Sequence, residues 1–166
     1  KTSHTLKPDF SWSCSNIDKL ISKFNLSDYI LLFPFCSEHL QQKEWPYYDQ
    51  LIKLIKQNHP NLKIVIAPGP DEIEKAKKLD AVSILKEDKA ISIPELAGLI
   101  KRSKFVVAND TGPAHMAAHL NVKGLSLFGS HTTAHKVSIE RENFKAIQVS
   151  DLKNLSAEKV FERLVF

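Results

Sequence analysis

The chain has 166 residues, 43% hydrophobic and 25% charged, with a formal net charge of +4 and a pI near 9.0. That length sustains one well-buried core and not two of ordinary size, and no apolar run approaches the length that crosses a bilayer. The positive balance suits an anionic ligand, but the lysines are scattered with no dense basic run, which argues against nucleic acid.

Residues 1–16 show no clear period and contain Pro8, Ser and Asn, which reads as an irregular lead-in or linker whose Phe10 and Trp12 should pack on the body. Residues 17–166 are then one domain. The chain starts at Lys1, without an initiator Met or a signal-like apolar segment, which fits a processed product or part of something longer. Ile17, Leu20, Ile21 and Phe24 have helical spacing behind Asn16 as a cap. Residues 29–33 (YILLF) form a buried strand that opens into the polar loop 34–44. An amphipathic helix is expected over 45–58, with Pro46 in its first turn and Leu51, Ile52, Leu54 and Ile55 facing a sheet. Residues 62–67 (LKIVIA) are the next strand, and Pro68-Gly69-Pro70 turns it into a helix over about 71–79. Asp71, Glu72 and Glu74 suit the positive end of that helix. A short strand at 82–85 follows, and then a helix from Pro94 capped by Ser92, with Leu96, Leu99 and Ile100 inward.

The most informative stretch is FVVANDTGPAHMAAHL, residues 105–120. Phe105 to Ala108 read as a strand buried on both faces, and Asn109, Asp110 and Thr111 interrupt it. Pro113 fits only the first turn of a helix, so Gly112 falls near the N-cap and the helix runs to about Leu120, with Asn121 as a left-handed stop. In an open α/β sheet such a junction lies at the carboxyl end of a strand, where the helix amides and dipole favour phosphate or carboxylate. Gly112 lets a ligand come close to the backbone. His115 can reach the same anion, and Asp110 can accept from sugar-type hydroxyls. Taken singly, Asp110 and Thr111 could be caps and His115 an ordinary half-buried histidine.

Strands at 123–128 and 145–149 and a closing helix at 156–164 capped by Ser156 complete the chain. Strands alternating with helices imply an α/β, doubly wound, Rossmann-like parallel sheet of about six strands. Loops 34–44, 68–72, 109–115 and 129–135 should open on one edge of that sheet. Cys14 and Cys36 are too few for a disulfide framework and no CxxC spacing occurs, so a reducing cytoplasm is expected.

Asp110-Thr111-Gly112-Pro113-Ala114-His115 with Ala117-Ala118, Lys43-Glu44-Trp45-Pro46, Gly69-Pro70-Asp71-Glu72 and Phe128-Gly129 together resemble glycosyltransferase family 9, the bacterial ADP-heptose:lipopolysaccharide heptosyltransferases. The likeness spans residues 29–164 and corresponds to the C-terminal, donor-binding half of a GT-B enzyme. It implies that Asp110, Thr111, Gly112 and His115 hold the diphosphate and sugar of a nucleotide-sugar. It further implies that Lys43 contacts phosphate, Ser37 is the small hydroxyl residue before it, Glu72 contacts ribose and Ile91 borders the adenine. Inverting transfer to a lipopolysaccharide core acceptor would follow, with Lys43 and His115 stabilising the leaving group and with neither cofactor nor metal. The resemblance also implies an N-terminal acceptor half that would supply the general base, for which no segment here is long enough, and a cytoplasmic protein working at the inner face of the inner membrane. After Phe128-Gly129 the family usually continues Pro-Thr-Asp, whereas this chain reads Ser130-His131-Thr132.

Two rivals stand beside this reading. One is a non-catalytic nucleotide or nucleotide-sugar binding module that works with a partner. The other is a metallohydrolase, since His115 and His119 stand at i and i+4, but the Glu of H-E-x-x-H is missing and no third ligand is evident. Trp45 is expected to anchor its helix, and His131 and His135 to sit at the surface of a mobile loop.

Overall fold

The structure, a computed structural model, describes residues 9–166. After a turn of 3-10 helix at Ser11–Ser13 come α1 (Asp18–Phe24), β1 (Tyr29–Phe33), α2 (Tyr48–Asn58), β2 (Lys63–Ile66), α3 (Ile73–Ala76) and β3 (Val82–Ser83). A hairpin of β4 (Leu85–Lys86) and β5 (Lys89–Ala90) leads to α4 (Ile93–Arg102), β6 (Phe105–Asn109) and α5 (Gly112–His119). Then follow β7 (Gly124–Phe128), α6 (Ala134–Val137), β8 (Phe144–Gln148) and α7 (Ala157–Phe161).

Six strands pair in the order β3-β2-β1-β6-β7-β8, every pairing parallel. All five residues of β1, of β6 and of β7 are buried, because helices cover both faces of the sheet. Successive side chains alternate between two cores. Leu31, Phe33, Val106 and Ala108 face α1, α4 and α5, whereas Ile30, Leu32, Phe105 and Val107 face α2 and α7.

The strands β1, β2, β6, β7 and β8 and the Ser92-capped helix lie where the sequence places them, to within a residue or so; several other boundaries move. The helix expected from residue 45 begins at Tyr48. A residue preceding proline is pushed out of the helical region, and the backbone N–H of Trp45 is spent on Asn109 Oδ1 at 3.2 Å. The helix expected over 71–79 is a 3-10 turn, Pro70–Glu72, followed by the four-residue α3, because the chain must return quickly to pair β3 with β2. The strand expected at 82–85 divides at the buried Ile84, after which Leu85 pairs with Ala90 across a turn whose Glu87 and Asp88 both have positive φ. The closing helix stops at Phe161 rather than 164, and the expected loop 129–135 runs into α6. Phe10 packs edge-on against His119 at 4.9 Å, but Trp12 does not pack on the body and stays 83% exposed.

Candidate functional site

The strand order places the site. From β1 the chain winds one way, to β2 and β3, and from β6 it winds the other way, to β7 and β8. The two strands are hydrogen-bonded neighbours, with Phe33 opposite Ala108, so the connections leaving them diverge and open a crevice at their carboxyl ends. The segment leaving β1 carries Lys43, and the segment leaving β6 carries Asp110 through His115.

Asn109 fixes these segments to each other. Fully buried, it donates from Nδ2 to the Pro34 carbonyl at 2.8 Å, and its Oδ1 accepts from the Trp45 backbone at 3.2 Å and from the Tyr48 hydroxyl at 3.4 Å. Trp45 anchors its end of the loop in the core as expected, with Nε1 donating to the Leu155 carbonyl at 2.8 Å. Both ends of the loop are therefore tied down, and the 3-10 turn Glu38–Lys43 between them ends on Lys43, which reaches Asp110 just beyond β6.

Asp110 is the centre of the arrangement. Its side chain is only 5% exposed, and Lys43 Nζ lies 2.8 Å from Oδ2, His115 Nε2 3.4 Å from Oδ1 and His131 Nε2 3.1 Å from Oδ2. Burial opposes ionisation of this carboxyl, but hydrogen bonds from His115 and Lys43, the Lys43 charge and the His131 contact outweigh it and hold the pKa well below the usual carboxylate range. Asp110 is thus a fixed anion. Neither it nor Thr111 caps α5 by a side chain; the Thr111 hydroxyl instead bonds the Asn109 carbonyl at 3.3 Å. The first turn of α5 faces the crevice with Gly112 and Pro113 leading.

Two adjoining cavities share this floor. The larger, about 610 Å³, is mostly apolar and is walled by Phe33, Ile66, Ile91, Leu96 and Met116, with Glu72 and Ser37 at its rim. The smaller, about 270 Å³, is lined by Ser37, Lys43, Asp110 and His115, and Thr111 and Gly112 border both. The structure therefore brings all the residues singled out in the sequence, Ser37, Lys43, Glu72, Ile91, Asp110, Thr111, Gly112 and His115, to one crevice. The β4–β5 hairpin delivers Ile91 to it. Glu72 also has a local task, since its Oε2 accepts from the Gly69 backbone at 2.8 Å. Burial, with the nearby Glu44 carboxylate, pushes the Cys36 thiol in the same wall up to about 11, so it is an inert packing group.

His131 corrects the sequence reading. Expected on a mobile surface loop, its side chain is 6% exposed and bonded to Asp110. The signal was the replacement of the usual residues after Phe128-Gly129. His135 is exposed. His119 packs on Phe10 at 4.9 Å and lines a separate recess with Lys101 and Arg141, whereas His115 turns to Asp110; the two histidines do not converge. Among the described residues no group of three His, Cys, Asp or Glu side chains could hold a metal ion, and no helix is long and apolar enough to cross a membrane.

The family model for glycosyltransferase family 9 (heptosyltransferase) matches residues 1–164. Lipopolysaccharide heptosyltransferase 1 of Campylobacter coli is 29% identical over 114 residues, covering 63% of this chain and 33% of that protein. Among solved structures, E. coli heptosyltransferase WaaC with ADP superposes with a TM-score of 0.74 at 22% identity, over 96% of this chain and 49% of that one. A family 9 glycosyl transferase from Veillonella parvula gives 0.73 at 16% identity, over 94% and 51%. At these identities the superpositions speak for the fold, and the chain spans about half the length of the structures it matches and a third of the curated relative. On the family match, the chain belongs to glycosyltransferase family 9, the heptosyltransferases.

Proposed function

We propose that this chain is the donor-binding half of a heptosyltransferase and holds a nucleotide-diphosphate sugar, ADP-heptose by analogy with its relatives, for inverting transfer to a lipopolysaccharide core acceptor. The observation that carries this reading is the junction of the two cavities. An apolar slot suited to a base and ribose runs directly into a small polar recess where Lys43, His115 and the first turn of α5 converge. In this reading the base lies against Ile91 and the ribose by Glu72. The diphosphate lies across Thr111 and Gly112, with Ser37, Lys43 and His115 around it and Asp110 ordering them. Transfer builds negative charge on the departing diphosphate, and a preorganised lysine, histidine and helix start stabilise that charge. Asp110, strongly ionised and already engaged, is a poor proton acceptor, so a base for the acceptor hydroxyl belongs to an acceptor-binding half. Action on a membrane glycolipid would place the protein at the inner face of the inner membrane.

The same observation on Asp110 supports a second reading, a module that binds the nucleotide-sugar without performing chemistry. Calorimetric titration with ADP, ADP-sugar, UDP and UDP-sugar tests both. Selective ADP binding is expected, weakened about tenfold or more, roughly 1.4 kcal/mol, by Asp110→Ala and by Lys43→Ala. Absence of binding by protein shown to be folded overturns the donor reading. Turnover of ADP-sugar by a chain that includes an acceptor half separates enzyme from module.

A further inference from the structure

The loop after β7 is held with more care than an idle surface loop requires. Gln148, on β8, donates from Nε2 to the Gly129 carbonyl at 2.6 Å and to the Thr132 carbonyl at 3.2 Å, while its Oε1 accepts from the Ala134 backbone at 3.2 Å. This clamp lays the His131 ring nearly parallel to Phe128, with centroids 6.0 Å apart and planes at 14°, and aims Nε2 at Asp110 Oδ2. The other ring nitrogen, Nδ1, is buried and has no hydrogen-bond partner among the described residues, so Nε2 carries the ring's polar contact there.

Asp110 divides its oxygens unevenly. His115 takes Oδ1, whereas Lys43 and His131 share Oδ2. On the donor reading above Lys43 also faces the diphosphate, and an ammonium that divides its three protons between phosphate and carboxylate holds that oxygen less firmly. A buried carboxylate that loses its cation pays heavily for the unpaired oxygen unless a second donor remains.

We propose that His131 is a positioning residue that keeps Asp110 paired and in place while Lys43 also engages the donor diphosphate. A neutral imidazole suffices, with its proton on Nε2 donated to Oδ2 and the lone pair on the unpartnered Nδ1. The proposal rests on the donor reading, and its signature is a loss of ligand affinity beyond any change in folding stability.

The experiment is calorimetric titration of ADP and of inorganic pyrophosphate into the wild type, His131→Leu and His131→Gln, with urea unfolding of each. The Leu variant is expected to bind both probes about tenfold more weakly, and Gln, whose amide nitrogen stands where Nε2 stands, to recover affinity to within about threefold. His131→Phe, which keeps the stack on Phe128, replaces Leu if that variant does not fold. A purely structural role would lower the unfolding midpoint and leave Kd unchanged. Wild-type affinity in the Leu or Phe variant, or a Gln variant as weak as Leu, overturns the proposal while the donor reading survives. Folded wild type that binds neither probe removes the donor reading itself, and the proposal with it.

Discussion

Gly112 begins α5 with ordinary negative φ, and a Cβ built on it would meet no atom of the described residues within 4 Å. Its own fold therefore gives no packing reason for glycine there; the open space is the crevice. Gly112→Ala is expected to change stability by less than about 1 kcal/mol, since helix propensity and packing both tolerate it. It should nevertheless weaken ADP binding about tenfold, because a methyl group would occupy the space the ligand needs beside the backbone. Urea unfolding and titration of the same variant decide the matter, and an unchanged Kd would mean that the ligand does not approach this turn. That the turn is polar and glycine-bearing could be read from six consecutive residues, Asp110 to His115. What Asp110 holds could not, because Lys43 stands 67 residues away and His131 21, and only the strand order brings them to one carboxylate.

Helix α4 shows the same division between local and distant causes. Ser92 accepts from the Glu95 backbone and Glu95 Oε2 accepts from the Ser92 N–H at 2.9 Å, a reciprocal cap that the spacing of the two residues announces. Gly98, inside the same helix, has no local justification. A Cβ there would stand 2.6 Å from the Ser15 carbonyl oxygen and 2.9 Å from Ile17 Cγ2, because the segment entering α1 crosses the helix at that point. On an exposed helix, replacing glycine by alanine would gain about 1 kcal/mol. Here the obstacle is backbone, and Gly98→Ala is expected to cost about 1–3 kcal/mol net in urea unfolding. A stabilised variant would show instead that residues 15–17 yield freely. The elements that sequence patterning located well, β1, α4 and β6, have their causes within their own residues. The late start of α2, the truncated α3, the division at Ile84 and the short α6 were set by what the chain must reach next.

At the scale of the whole molecule, a crevice at the reversal of strand order concentrates buried charge on one carboxylate, and that concentration should govern acid stability. An unfolded aspartate takes up its proton near pH 3.9, on the usual peptide value. In the folded chain burial works against ionisation of Asp110, but His115, Lys43 and His131 together hold its pKa well below that range. A depressed folded-state pKa means that this contribution is complete above about pH 5 and is lost as pH falls through the unfolded value toward the folded one. Glu95 acts in the same direction. Its hydrogen bond from Lys86, followed by those from Ser92, draws it down to about 2, but the Lys86 partner is 60% exposed, and solvent discounts the effect. Wild-type unfolding free energy should therefore drop between pH 5 and pH 2. Asp110→Asn should be less stable at pH 7 yet show a distinctly flatter slope across that range, whereas Glu95→Gln should alter the slope only slightly. Urea unfolding of the three proteins at half-unit pH intervals measures both slopes. If Asp110→Asn loses stability as steeply as the wild type, the acid sensitivity lies in other carboxylates, and the paired state of Asp110 seen here is not the one that dominates in solution. A flattened slope would instead identify the same network that orders the crevice as the chain's acid-labile point, linking loss of the fold and loss of the site to one protonation.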